Sequence, residues 1–296
     1  MSQSPPVTLL ATGGTIACTS SATGTLVPTR TAGELVRDAG LSPGQVTAHD
    51  ALHLDSSEMT LADLDQLLRE IRGATGPVIV THGTDSMEET AMAVDRLLGG
   101  PVILTGAQRP ADDPAPDGPG NLRDAVCAAA SATTPVVVMG GAAVPAYGVR
   151  KVHTTADGAF GNPGIPRPGT LCGGTPPPLA GLRVDIIMAY QGADASLVDA
   201  AVAAGAHGLV IAGFGSGNAG GLTPGVRRAL DAGLPVVLCT RVPGGPVDAI
   251  YGGDGGGATL AALGARSGGL LSPPQARMEL LCQLAVARRA NPADQR

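Results

Sequence analysis

The chain has 296 residues, of which 44% are hydrophobic, 15% charged and only 2% aromatic, a balance that excludes a disordered chain and calls for an aliphatic core of Val, Leu, Ile and Ala in one large or two ordinary domains. A net charge of −6 without a basic cluster argues against a nucleic-acid partner, and no apolar run reaches the ~20 residues of a membrane span. The 44 glycines and 25 prolines follow no three-residue period, which excludes collagen and implies many tight turns.

In chain order, Val7–Ala11 reads as a strand running into a Gly13-Gly14 turn. Cys18 to Arg30, rich in Thr, Ser, Gly and Pro without periodicity, reads as a mobile surface loop beside that turn. Thr31–Ala39 predicts a helix, and Val46–Leu54 an extended segment that ends in Asp55-Ser56-Ser57-Glu58. Thr60 caps a helix with Leu61, Leu64, Leu68 and Ile71 on one face. Val78-Ile79-Val80 is a buried strand, Thr81-His82-Gly83-Thr84-Asp85 a polar turn, and Ser86 with Glu89 stands at capping-box spacing before a helix carrying Met87, Ala91, Val94 and Leu98. Strand Val102–Thr105, a loop over Gly106–Gly120, helix Asn121–Ala130 and strand Val136–Met139 follow. Ala143–Ala159 reads as a meandering extended segment or hairpin. Asn162–Gly181, broken by Pro and Gly, reads as the domain linker. A second alternation runs through strands Val184–Tyr190, Leu209–Ala212 and Val236–Cys239, with helices Ala195–Ala204 and Gly225–Ala232 between them. The Gly-rich loop Pro243–Gly257 and helices near Thr259–Leu263 and Pro274–Ala290 complete the chain. Alternating strands and helices predict an α/β fold with a parallel sheet in each of two domains: 1–162, a linker at 163–183, and 184–296.

Two strand ends carry threonines and tight glycines, the place where open α/β sheets bind ligands. Ala11–Ala17 reads ATGGTIA and Thr81–Thr90 reads THGTDSMEET. With GAQRP at Gly106–Pro110, DGPGNL at Asp117–Leu122, VRKVHTT at Val149–Thr155, GFGSGN at Gly213–Asn218 and SPPQAR at Ser272–Arg277, the chain resembles the bacterial-type L-asparaginase family over nearly its whole length. The resemblance implies a larger, flavodoxin-like N-terminal domain and hydrolysis of the side-chain amide of L-asparagine through a threonine acyl-enzyme, with minor activity on glutamine. It also implies a homotetramer of close dimers and no metal or organic cofactor. Carried over by motif, Thr15 matches the first catalytic threonine, and Thr84, Asp85 and Lys151 the second threonine, its acid and the lysine. Ser56 matches the serine that holds the substrate carboxylate, and Asn218 an asparagine that reaches a neighbouring subunit's site. Ser57 stands where many members carry glutamine. The family's lid tyrosine has no counterpart between Cys18 and Arg30; Tyr251 is the one candidate replacement and is alternatively a residue that packs at a turn, while Asp248, Tyr251 and Asp254 lie in the region from which some members supply a second-domain acid.

Each residue also has a plainer reading. Thr84 alone is a turn threonine capping a helix, and Asp85 a first-turn acid favoured by the helix dipole. Thr15 after Gly13-Gly14 is alternatively a phosphate cradle, although the spacing is neither GxGxxG nor GxxxxGK[ST]. Ser56 is alternatively a solvated loop serine, His82 is read as structural, and His49 with His53 sits on an extended stretch unsuited to a metal. The five cysteines, Cys18, Cys127, Cys172, Cys239 and Cys282, form no CxxC pair, and the N-terminus shows no secretion signal; both fit a reducing cytoplasm. Two other functions remain in view: a non-catalytic amino-acid or nucleotide binding module, and the amidase subunit of a tRNA-dependent amidotransferase. Such amidase subunits carry an extra N-terminal domain, for which a first strand at Val7 leaves no room.

Overall fold

The computed structural model describes residues 6–290. They divide into two compact units, one running to Asn162 and including Pro166–Ala180, the other comprising Pro163–Ile165 and the chain from Gly181 onward. The stretch expected to be a linker is therefore mostly held to the first unit. Arg167 Nε pairs with Asp95 Oδ1 at 2.6 Å, and the Leu179 and Ala180 N–H groups donate to the Asp65 carboxylate at 2.8 and 2.9 Å. Its prolines and glycines prevent regular structure, so its backbone donors are met by side chains instead.

The first unit contains β1 (Val7–Gly13), β2 (Cys18–Ser20), β3 (Leu26–Pro28), α1 (Ala32–Asp38), β4 (Val46–Leu54), α2 (Leu61–Gly73), β5 (Val78–Thr81), α3 (Met87–Leu97), β6 (Val102–Thr105), α4 (Gly118–Ala129), β7 (Val136–Met139), β8 (Ala142–Pro145), β9 (Arg150–Lys151) and β10 (Phe160–Gly161). Its sheet has the order β4-β1-β5-β6-β7-β8, parallel except for the antiparallel edge strand β8. Leu9, Ile79 and Ile103 face α1 and α4, through Leu35, Val36, Leu122 and Ala125. Alternate residues Leu10, Val80 and Leu104 are equally buried, and α2 and α3 pack on β4 and β6. Two covered faces explain why these strands read as continuous apolar runs. Capping boxes start α1 at Thr31/Glu34 and α2 at Thr60/Asp63, each cap contributing about 1 kcal/mol.

Two local readings are corrected. Cys18 to Arg30 is no irregular loop: β2 and β3 pair antiparallel, with Thr19 opposite Val27, and Ser21, Thr23 and Thr25 hydrogen-bond one another across the turn. The β-branched Thr19 and Val27 suit a ribbon that the Gly and Pro content had obscured. Secondly, Ser86 is the N-cap of α3 but makes no side-chain cap; its hydroxyl donates instead to Ser56 O at 2.6 Å.

The second unit contains β11 (Val184–Met188), α5 (Ser196–Ala203), β12 (Gly208–Gly213), α6 (Thr223–Asp231), β13 (Val236–Thr240), α7 (Gly257–Ala262), β14 (Arg266–Ser267) and α8 (Pro273–Ala290). Its sheet is parallel, in the order β11-β12-β13-β14. Leu209 and Ile211 pack with Val198 of α5 and Val226 of α6, and α8 lies against β11 to β13. None of the five cysteines is in a disulfide, and no described helix is long and apolar enough to cross a membrane. Residues 1–5, where the sequence was read for a secretion signal, lie outside the described chain.

Candidate active site

Counting only the parallel strands of the first sheet in chain order, their spatial order is 2-1-3-4-5. In such a sheet the topological switch point lies between the first and third parallel strands, here β1 and β5, and ligands bind at their carboxyl ends. Thr15 follows β1, and Thr84 follows β5. The two strand-end turns approach so closely that a Cβ on Gly14, whose φ is 74°, would lie 2.5 Å from Gly83 Cα. A Cβ on Gly83 would meet Ser56 Oγ at 2.4 Å. Glycine is thus required at both positions by these close approaches, and at Gly14 also by its conformation. Thr12 Oγ1 donates to Thr81 O at 2.9 Å and ties the same two strand ends together.

A cleft of about 180 Å³ opens there, lined by Gly14, Thr15, Cys18, Leu26, Pro28, Leu54, Asp55, Ser56, Gly83, Thr84 and Asp85. Thr84 is buried, whereas Asp85 is exposed. Lys151 reaches them from β9: its Nζ lies 2.8 Å from Thr84 Oγ1 and 3.0 Å from Asp85 Oδ1. The backbone of Lys151 is fixed by β10, through its pairing with Phe160, and by Glu88 at the start of α3, whose Oε2 accepts the Lys151 N–H at 2.8 Å. Thr15 is half-buried, and its hydroxyl makes no hydrogen bond among the described residues. The N–H groups of Gly83 and Thr84 likewise donate to no described partner. A hydroxyl, a hydroxyl–amine–carboxylate chain and free backbone donors therefore meet in one cleft. That set can attack a carbonyl carbon, move a proton and stabilise an oxyanion.

Ser56 is buried, its Oγ has no described hydrogen-bond partner, and the Ser86 hydroxyl holds its backbone in place. Ser57 is exposed and does not line the cleft; its N–H donates to Asp55 Oδ1. The ribbon β2–β3 contributes Leu26 and Pro28 to the cleft wall. It is anchored at its base, where Cys18 O accepts from Ala111 N at 2.8 Å and the Asp112 carboxylate from Ser20 N at 2.8 Å. The DGPGNL stretch serves the scaffold: Asp117 accepts the N–H groups of Gln108 and Arg109, and Asn121 joins Gly106 O to Gly140 N.

Asn218, Tyr251 and Asp254 belong to the second unit. Asn218 Oδ1 accepts from Gly257 N at 3.2 Å and so closes the glycine-rich loop onto α7. Tyr251 is 54% exposed. Asp254, almost fully exposed, pairs with Arg227 at 3.2 Å. No group of three or more His, Cys, Asp or Glu among the described residues is arranged to hold a metal ion. The sequence reading missed Asp55, Cys18 and Leu26 as cleft residues, and Glu88 and Ser86 as the groups that hold Lys151 and Ser56. Cys18, Ser86 and Glu88 were signalled only by adjacency to the two threonine turns and Asp55 by adjacency to Ser56, whereas Leu26 carried no signal. Burial, with Asp55 nearby, raises the Cys18 thiol pKa and keeps that group protonated.

Two family models match this chain: "Asparaginase, N-terminal" over residues 6–176 and "Glutaminase/Asparaginase C-terminal domain" over residues 183–296. It is 38% identical to a probable L-asparaginase of Deinococcus radiodurans, covering 95% of this chain and 93% of that protein. An L-asparaginase of Bacillus licheniformis is 30% identical, over 94% of this chain and 95% of its own. A component of the glutamyl-tRNA(Gln) amidotransferase of Methanosarcina mazei is 31% identical, over 83% of this chain but only 67% of its own.

Proposed function

The chain belongs to the asparaginase family, and we propose that it hydrolyses L-asparagine to L-aspartate and ammonia through an acyl-enzyme on Thr15. It has both family domains and is a hydrolase of amide bonds. The observation that carries the finer reading is the contact chain Thr84–Lys151–Asp85, set at the switch point beside Thr15.

The Thr15 Oγ attacks the side-chain amide carbon and its proton passes to the departing nitrogen, so the C–N bond breaks and ammonia leaves an ester on Thr15. Water then attacks the ester carbon; Thr84, with Lys151 as its proton acceptor, takes the proton from that water, and as the ester C–O bond breaks the proton returns to the departing Thr15 oxygen, which restores the Thr15 hydroxyl and the base. In both steps the backbone N–H groups of the Gly83–Thr84 turn face the developing negative charge. Asp85 holds the substrate ammonium and Ser56 its carboxylate, while Ser57, outside the cleft lining, makes no contact with the substrate. A bound zwitterion gives the otherwise unpartnered Ser56 hydroxyl a hydrogen bond.

The same proposal includes a homotetramer built as a dimer of dimers in the cytoplasm. Asn218, Tyr251 and Asp254 would act from the second domain of a neighbouring subunit, with Tyr251 replacing the missing lid tyrosine. The long loop that Asn218 closes supports this part, since irregular loops of that length in compact domains are usually functional. Ammonia release from L-asparagine by the purified protein tests the activity, and light scattering tests the assembly; a fully active monomer would contradict sites shared between subunits.

A further inference from the structure

His82 lies between the last residue of β5 and the Gly83–Thr84 turn, and its side chain is fully buried. Its Nδ1 is 2.7 Å from Gly83 O and its Nε2 is 2.9 Å from Thr90 Oγ1, on α3. A carbonyl oxygen can only accept, so Nδ1 carries the ring proton. Nε2 of the neutral ring is then an acceptor, and the Thr90 hydroxyl donates to it. The opposite tautomer would set the Nδ1 lone pair against the Gly83 carbonyl. Both ring nitrogens are thus committed, one to α3 and the other to the turn.

The Gly83–Thr84 peptide is trans, as are all described peptide bonds, so its C=O and N–H point in opposite directions. The carbonyl is turned toward the buried ring. The Thr84 N–H is therefore turned away from it, and it donates to no described group, while Gly83 and Thr84 both line the cleft. We propose that His82 is a positioning residue: by holding the Gly83 carbonyl it fixes the plane of the Gly83–Thr84 peptide and aims the Thr84 N–H at the oxyanion of the reacting amide. The proposal rests on the amidohydrolase reading above and assigns His82 a task beyond filling the core. An oxyanion donor is effective only when its orientation is fixed before charge develops, because reorientation during the reaction would consume the stabilisation it offers.

The test compares kcat and KM for L-asparagine, with thermal midpoints, across His82→Asn, His82→Gln and Thr90→Val. The Asn amide places an N–H donor where Nδ1 stands, whereas the Gln amide reaches only toward Thr90. We expect Asn to keep kcat within about 5-fold of the parent and Gln to lower it about 10- to 100-fold, less than deletion of an oxyanion donor, with KM nearly unchanged in both. Thr90→Val should lower the midpoint but leave kcat within about 3-fold, because the bond to Gly83 survives. Equal losses in Asn and Gln, or kcat losses that simply follow the midpoint across all three variants, would overturn the proposal. Nitrogen NMR of the parent protein serves if a variant does not fold. A neutral Nδ1–H tautomer at near-neutral pH is expected, and an Nε2–H tautomer would refute the positioning contact. A parent protein that releases no ammonia would defeat the amidohydrolase reading, and with it the catalytic task assigned to His82, whereas an active parent with the wrong tautomer would defeat the positioning role alone.

Discussion

Replacing Lys151 separates catalysis from stability most cleanly. The Lys151–Asp85 pair spans 3.0 Å, but the Asp85 side chain is 61% exposed, so solvent screens it and the bridge adds at most about 1 kcal/mol to folding. The Lys151 backbone keeps its bond to Glu88 and its pairing with β10 whatever the side chain. Lys151→Met retains the aliphatic stem and should shift the thermal midpoint by only a few degrees, as expected for about 1 kcal/mol in a chain of this size. Loss of the proton acceptor 2.8 Å from Thr84 Oγ1 should instead cost about 10²- to 10⁴-fold in kcat, or roughly 3–5 kcal/mol of barrier. Lys151→Arg sharpens the comparison: a guanidinium can still pair with Asp85 but has no neutral form with which to accept a proton, so it should be nearly as inactive as Met. Ammonia release at saturating L-asparagine, beside thermal melts, reads both effects. A Met variant within about 3-fold of the parent, or an Arg variant that restores turnover, would refute Lys151 as the base.

Asp85→Asn should raise KM for L-asparagine about 10-fold or more, from loss of a charge-assisted contact of roughly 1.5–3 kcal/mol; an unchanged kcat/KM would remove Asp85 from substrate capture. Ser86→Ala should cost about 1 kcal/mol in urea unfolding and also raise KM, because the 2.6 Å bond to Ser56 O is lost; unaltered kinetics would show that Ser56 needs no such support. The stability of the fold should fall on acidification. Burial holds His82 down from 6.5 to about 4, so between those values the unfolded chain binds a proton that the native chain does not. His82 therefore contributes fully above about pH 6.5, and the contribution, up to roughly 3 kcal/mol, is lost as pH falls toward 4. His82→Asn should flatten that part of the urea-midpoint profile, and an identical profile would contradict the assignment.

Much of the first sheet was legible because its strands are short β-branched runs between well-capped helices. Val78–Val80 and Val102–Thr105 could hardly be anything but buried strands, and Thr60 caps its helix as the sequence suggested, while Thr31, read as the first helical residue, is the N-cap of α1. The Ser86/Glu89 signal misled because capping chemistry is local, whereas the Ser86 hydroxyl is used across the fold, on Ser56 thirty residues away. The β2–β3 ribbon was hidden by its Gly and Pro content, whereas β8, paired antiparallel with β7, falls at the start of the stretch that the sequence marked as extended. At the site, the resemblance singled out Thr15, Thr84, Asp85 and Lys151, and the structure puts Lys151 in contact with Thr84 and Asp85, which line one cleft with Thr15. Only coordinates could reveal that Gly14 and Gly83 bring two turns into backbone contact, or that Glu88 grips the Lys151 N–H. Those relations depend on the strand order 2-1-3-4-5, which leaves no periodic mark in the chain.

The most direct test of the central claim is ammonia release from L-asparagine by the purified protein, measured together with its Thr15→Ala and Thr84→Ala variants. The account predicts turnover by the parent, and a loss of about 10³-fold or more in each variant while the melting transition stays cooperative. Thr84→Ser, which keeps the hydroxyl beside Lys151, should recover part of the activity. Full hydrolysis by a folded Thr15→Ala protein, or no ammonia from a folded parent, would contradict it.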